Sequence, residues 1–316
     1  MQMRRLTLLV ALVALLTPAS ASARPYLGVL GNAGRFDGLT GQHTQVGHIV
    51  LGWEQGYSWG SRLAALLPKL GETPMVALNT GRGWPNRSEA ITPRDIAYGK
   101  GDGYLIALNR ALADFARPIY LRPFGEMNGH WNYYCAYTQA GAAKGASHST
   151  AMFRKAFSRV YLIAHGGATV NERLARLGLP PARADLVENP FVRVIWNPQG
   201  YGSPNIPANS AQAYYPGDAY VDVVGNDLYN IRYKAEWAAA ERLYRAHPSK
   251  PYAFPEWGNW GIDDPAFVRK MAAWVRSHRR VELLAWFESR PESIFDLASK
   301  PKSLAAYRRF IVPLGR

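Results

Sequence analysis

Cysteine is almost missing from this chain of 316 residues: Cys135 is the only one, so no internal disulfide can staple the fold. In an aromatic loop, that lone residue reads as a small packed side chain rather than a nucleophile. Long apolar runs are scarce too. After the first 23 residues no stretch approaches the roughly 18 consecutive apolar residues that a membrane-spanning helix needs. A phosphate-binding glycine turn is also lacking, because Gly28, Gly31 and Gly34 have neither the spacing nor the following helix of a dinucleotide site. Acidic residues are few, 23 against 37 Lys and Arg, for a formal charge of +14. Such a charge raises the question of a polyanionic partner. Yet the arginines are scattered over expected helix surfaces (Arg173, Arg176, Arg242, Arg269, Arg276) with no aromatic and basic module, so no nucleic-acid partner is expected. The seven histidines form no metal-ligand pattern: His43 and His48 stand five apart with no acid-rich spacing joining them. No metal and no organic cofactor is expected.

The start of the chain has a separate purpose. Arg4 and Arg5 are followed by an apolar run from Leu6 to Leu16, and Ala19, Ala21 and Ala23 supply small residues for cleavage, the pattern of a secretory signal peptide. Residues 1–23 are therefore expected to be removed and the mature protein to be secreted, monomeric and without a membrane span. Loss of Arg4 and Arg5 takes the formal charge from +14 to +12. Residues 24–316 show no internal repeat and no Pro-, Gly- or Ser-rich linker, so they read as one domain.

That domain alternates. Strand-like apolar runs bounded by turn residues lie at Tyr26 to Leu30, His48 to Trp53, Pro74 to Leu78, Pro118 to Phe124, Val192 to Trp196, Tyr220 to Val224, Pro251 to Phe254 and Val281 to Trp286. Helical periodicity separates several of them, at Tyr104 to Phe115, Thr150 to His165, Ala235 to His247 and Pro265 to His278. Eight strands alternating with helices over this length predict an α/β fold, a single (β/α)8 TIM barrel, with its chemistry on the loops at the C-terminal ends of the strands. The polar inserts 79–103 and 198–217 read as loops on that face.

Two of the strands end in a glutamate beside an aromatic and a glycine. Tyr120 to Phe124 leads through Gly125 to Glu126, then Asn128 and Trp131, while Pro251 to Phe254 leads to Glu256, Trp257 and Gly258. A carboxylate pair at strand ends of one barrel is what hydrolysis of a glycosidic bond requires. Ten Trp and 18 Tyr supply flat apolar faces suited to pyranose rings. Trp131, Trp196, Trp257, Trp260 and Trp286 are candidate stacking faces, and Asn128, Asn197 and Asn226 candidate partners for sugar hydroxyls. At the rim of the second strand lie Trp53 and Glu54, the latter read as a substrate hydrogen-bond acceptor or the partner of an arginine. At the end of the sixth, Tyr229 is placed to donate a hydrogen bond that keeps Glu256 ionised. Arg122 shares strand parity with Glu126, four residues and about 13 Å deeper, and reads as a buried charge in the barrel's polar network.

The sequence resembles glycoside hydrolase family 26, a β-mannanase family within the clan of retaining (β/α)8 glycosidases. The resemblance rests on Arg122 to Trp131, on Trp196-Asn197-Pro198, on the block from Tyr215 through Asp218, Asp222 and Asp227 to Tyr229, on Glu256-Trp257-Gly258 and on Ala285-Trp286, in that order along the chain. It implies an endo-acting retaining hydrolase of a polysaccharide, β-1,4-mannan or a related β-glycan, with Glu126 as acid/base and Glu256 as nucleophile. One position departs from the family pattern. Where a His usually precedes the acid/base glutamate this chain has Gly125, which is expected to leave a space the size of an imidazole. Two other readings compete: an inert glycan-binding protein on a hydrolase barrel, and a hydrolase of an acidic exopolysaccharide steered by the positive charge.

Overall fold

The computed structural model describes residues 24–56, 62–82 and 88–316; the expected signal peptide, residues 1–23, lies outside them. Nine parallel strands form one sheet: β1 (Tyr26–Leu30), β2 (Val46–Leu51), β3 (Met75–Leu78), β4 (Ile119–Pro123), β5 (Val192–Trp196), β6 (Val223–Gly225), β7 (Leu228–Ile231), β8 (Tyr252–Trp260) and β9 (Val281–Phe287). They run in sequence order except that β6 and β7 both pair with β8, Val224 opposite Tyr252 and Leu228 opposite Trp257. These two are halves of one stave, interrupted at Asn226 and Asp227. Pairing of β1 with both β2 and β9 closes the ring, so the architecture is an eight-staved parallel barrel with helices around it. Among the described residues, no helix is long and apolar enough to cross a membrane.

The strands are short apolar runs because a parallel barrel buries both of their faces. Val46, Met75, Tyr120, Ile195, Val223, Ala253, Leu283 and Ala285 fill its interior as one buried cluster. Outside, the larger core joins the strands to the helices through residues such as Leu121, Phe153, Phe157, Val194 and Leu284. Helix starts follow their capping chemistry. Ser149 accepts from the Met152 amide at the head of Thr150–His165, and Asp264 accepts from Ala266 ahead of Pro265–Ser277, with proline in the first turn.

Three expectations are corrected. Tyr220 belongs to a short 3-10 turn, Asp218–Tyr220, and the sixth strand starts only at Val223. The seventh continues well past Phe254, to Trp260, so Glu256 lies within the strand. Its register against β9 shifts between Phe254 and Trp257, at Pro255, which has no amide hydrogen for the ladder. Most consequential is the end of β4. The strand stops at Pro123, and Phe124 and Glu126 both take left-handed φ, 54° each. The chain therefore curls back on itself, and the extended spacing that put Arg122 about 13 Å below Glu126 does not apply.

Candidate active site

Parity inside the barrel sets the floor of the site. Two residues beyond the inward Val46, Tyr120 and Ile195 come His48, Arg122 and Asn197, all buried. Arg122 is the hub: its Nη1 donates to Glu256 Oε1 at 2.5 Å and its Nη2 to Asp227 Oδ2. Asn197 Nδ2 also donates to Asp227, at 3.1 Å. Above them the curl after β4 is tied from several sides. The Glu126 amide donates to Asn197 O at 2.6 Å, Tyr134 OH to Gly125 O at 2.6 Å, and Asn132 Nδ2 to Glu126 O at 2.9 Å. A left-handed non-glycine residue costs on the order of 1 kcal/mol and persists where its surroundings over-determine it. These bonds are that over-determination, and they aim the Glu126 carboxylate.

The two glutamates have opposite environments. Trp131 Nε1 donates to Glu126 Oε2 at 2.9 Å and Gln199 Nε2 to Oε1. Burial, reinforced by the charge of Glu256, nevertheless raises the Glu126 carboxyl above its ordinary range. For Glu256 burial alone would do the same, but the Arg122 guanidinium and the Tyr229 hydroxyl, donating to Oε2 at 2.6 Å, outweigh it and hold the carboxyl below its usual value. Asp227 goes the other way. Burial and the two glutamates push it well up despite Arg122. His48, buried beside Arg122, is pushed down to about 3 and stays neutral. One guanidinium among three carboxyls thus lowers Glu256, while Glu126 and Asp227 stay raised.

These groups open into a pocket of about 500 Å³ whose walls include Trp131, Gln199, Tyr201, Trp260, Phe287 and Phe295. The Tyr229 ring meets Trp260, Phe287 and Phe295 at centroid distances of 5.4, 5.8 and 5.8 Å. Trp131 and Trp260 are 51 % and 41 % exposed, so each offers a ring to a ligand.

Of the residues singled out in the sequence, Glu126, Glu256, Trp131, Trp260, Tyr229 and Asn226 meet at this pocket. The others support it or lie apart. Trp196 and Trp286 are fully buried and present no face to a sugar. Trp196 packs edge-on against Tyr215 at 4.8 Å, and Trp286 against Trp257 at 4.8 Å while donating to Glu288. Trp257 is likewise sealed in the core. Asn128 is consumed by backbone: its amide group donates to Gln199 O and Tyr201 O and accepts from Gln199 N. Its role is to hold the β5 loop that presents Gln199, and Asn197 in the same way serves Asp227. Trp53 is buried edge-on to Tyr104 at 4.9 Å, beside Gly101, and Glu54 is exposed on the loop after β2 with φ 63°. Neither lines the pocket.

Asp227, Gln199, Tyr201, Phe287 and Phe295 were not legible as site residues. Asp227 stands in the block that ends at Tyr229, but only the break of the sixth stave turns it inward. The space expected at Gly125 is filled. A Cβ built there would sit 2.7 to 2.8 Å from the Arg122 guanidinium, which is pinned by two carboxylates and cannot swing aside cheaply. Gly125→His should therefore destabilise the protein by about 1–3 kcal/mol through overpacking. A thermal melt should read this as a Tm loss on the order of 5 °C. An unchanged Tm with increased mannan hydrolysis would show that Arg122 yields and that the site has room.

Comparison with known proteins agrees with this arrangement. Residues 194–279, from β5 through β8 and including Asn197, Asp227, Tyr229 and Glu256, match the signature described as "Glycosyl hydrolase family 26". Over that segment the chain resembles the family. Over 289 residues it is 24 % identical to Endoglucanase H of Acetivibrio thermocellus, covering 87 % of this chain but 28 % of the other, so it spans little more than a quarter of that relative's length. Among solved structures, a Bacillus subtilis mannanase aligns with TM-score 0.57 at 16 % identity, covering 91 % of this chain and 85 % of that one. A Cellulomonas fimi endo-β-1,4-mannanase double mutant aligns at 0.60 and 17 %, covering 92 % and 70 %. Both likenesses are of fold.

Proposed function

We propose that this protein is a secreted retaining endo-β-glycanase of the glycoside hydrolase family 26 type, acting on β-1,4-mannan or a related β-glycan. The observation that carries the reading is the pair Glu126 and Glu256 in one pocket, with burial and the charge of Glu256 raising the Glu126 carboxyl while Arg122 and Tyr229 hold Glu256 below its ordinary value. Glu256, ionised and held by Arg122 and Tyr229, attacks the anomeric carbon. Glu126, protonated, delivers its proton to the leaving glycosidic oxygen as that C–O bond breaks. The resulting glycosyl ester on Glu256 is hydrolysed when Glu126, now a base, removes a proton from water. The water oxygen bonds to the anomeric carbon, the ester bond breaks and Glu256 is returned as a carboxylate. The Tyr229 hydroxyl can follow the charge on Glu256 through both steps. The names of the related proteins, mannanases and an endoglucanase, support a β-glycan and internal cleavage. The segment 1–23 supports export.

The pocket favours an uncharged sugar over an acidic exopolysaccharide. Its walls carry Glu126, Asp227, Glu236 and Glu256, and among the lining residues there is no Lys or Arg. An inert glycan-binding protein has no need of two carboxyls buried together, an arrangement that costs stability. Reducing-end assays on mannan, mixed-linkage glucan, xylan and a uronic-acid polymer, with proton NMR of the first products, test the proposal. A neutral β-glycan should be cut with the β-anomer appearing first. Initial α-product would mean inversion, and activity confined to the uronic polymer would overturn the substrate class.

A further inference from the structure

We infer that a second carbohydrate-binding surface lies on the turn after β7 and extends the active-site pocket into a distal subsite for a neutral glycan chain. The inference rests on the function proposed above. Ile231 and Lys234 exchange backbone hydrogen bonds of 2.9 and 3.0 Å, closing a two-residue turn through Arg232 and Tyr233 with φ 52° and 65°. Such turns are ordinarily built from Asn and Gly, which tolerate positive φ. A tyrosine there is strained, and it is also 70 % exposed, so packing returns little for the strain. An exposed ring held at such a turn is available to stack on a ligand.

The surroundings fit a sugar. Tyr233 borders a depression of about 460 Å³ together with Trp237, Phe267, Asn230, Asp264 and Lys270. Trp237 and Phe267 meet at 5.5 Å between centroids, with Lys270 Nζ 5.0 Å from the Trp237 ring. Asn230, buried beneath the depression, donates to Asn259 and Asp264 and so fixes the Asp264 carboxylate at its edge. Two cations, Lys234 and Lys270, balance two anions, Glu236 and Asp264, so an uncharged ligand suits the surface. It also adjoins the catalytic pocket. Glu236 borders both, and Ile231, at the head of the turn, lines the catalytic one. A chain leaving Glu126 and Glu256 over Ile231 meets Tyr233 next.

The test uses the full chain. In a Glu256→Ala background, native gels containing β-1,4-mannan or mixed-linkage β-glucan report polymer binding. In the active background, kcat/KM on the polymer is compared with that on an aryl β-glycoside too short to reach the turn. Tyr233→Gly should weaken polymer binding and lower the polymer-to-short-substrate ratio about tenfold, as loss of one stacking face implies. Its Tm should hold or rise, because glycine relieves the left-handed strain. Tyr233→Phe, which keeps the ring, should keep the binding. The inference is overturned if Tyr233→Gly binds and cleaves polymer as the parent does. It is also overturned if the two substrates lose activity together, an effect passed to the catalytic pair through Ile231. If the parent hydrolyses and binds no β-glycan, the proposed function fails first and the subsite with it.

Discussion

Glu256→Ala is expected to lower kcat on a polysaccharide on the order of 10⁴-fold or more, the scale at which removing a nucleophile leaves only binding and polar stabilisation. Small nucleophiles give the expectation its sharper form. With the carboxylate gone, azide or formate can occupy the space beside Tyr229 and attack the anomeric carbon directly, restoring part of the rate with one inversion instead of two. Azide would then leave the α-glycosyl azide as product, identifiable by NMR. The fold should survive, because the freed Arg122 keeps Asp227 as partner and that aspartate can ionise once Glu256 no longer repels it. Near-normal turnover in the variant would remove Glu256 from the mechanism.

Replacing Arg122 by methionine should have the largest effect on stability. It removes the one cation among three buried carboxyls and leaves Glu256 without its 2.5 Å partner. Breaking a buried pair from one side costs about 3–5 kcal/mol. For a domain of this size that is a fall in Tm on the order of 10 °C. The pH dependence distinguishes this cause from simple loss of packing. The folded-state pKa of Glu256 lies below its ordinary value, so the pair contributes stability above the unfolded carboxyl range and loses it as pH falls through the folded pKa. Without Arg122 the Glu256 pKa should rise, and the cluster can take up a further proton instead of bearing an unpaired charge. The deficit should thus be greatest at neutral pH and shrink toward pH 4, while the acid limb of the activity profile moves to higher pH. A deficit independent of pH with an unmoved acid limb would make Arg122 a packing residue only.

The corrections have one pattern. Trp196 and Trp286 occupy motif positions and could be found by eye, but whether a ring faces solvent depends on what covers it, and Tyr215 and Trp257 cover these two. Arg122 was recognisable as inward and buried, since strand parity is local information. Its reach to Glu256 and Asp227 was not, because that follows from left-handed turns at Phe124 and Glu126, which no propensity assigns to Phe or Glu. Gly125 misled for the same reason: an absent side chain leaves room only if nothing else has moved in, and the guanidinium has. Asp227 stayed hidden because the sixth run reads as ending at Val224, and the continuation of the stave past the break that turns Asp227 inward is held by pairing to β8, 28 to 29 residues on.

The alternation of short doubly buried runs with amphipathic helices determined the barrel from sequence alone, because burial of both strand faces leaves a local signature of composition and period. The two glutamates beside Trp131 and Tyr229 were equally legible, since a barrel brings the C-terminal parts of its strands together whatever lies between them. Only the tertiary structure decided how burial and Arg122 move the two carboxyls in opposite directions, which aromatic rings are open, and that Asp227, Gln199 and Phe295 join the site. Those properties depend on desolvation and on charges brought close from segments far apart in the chain, and neither can be read from neighbours in sequence.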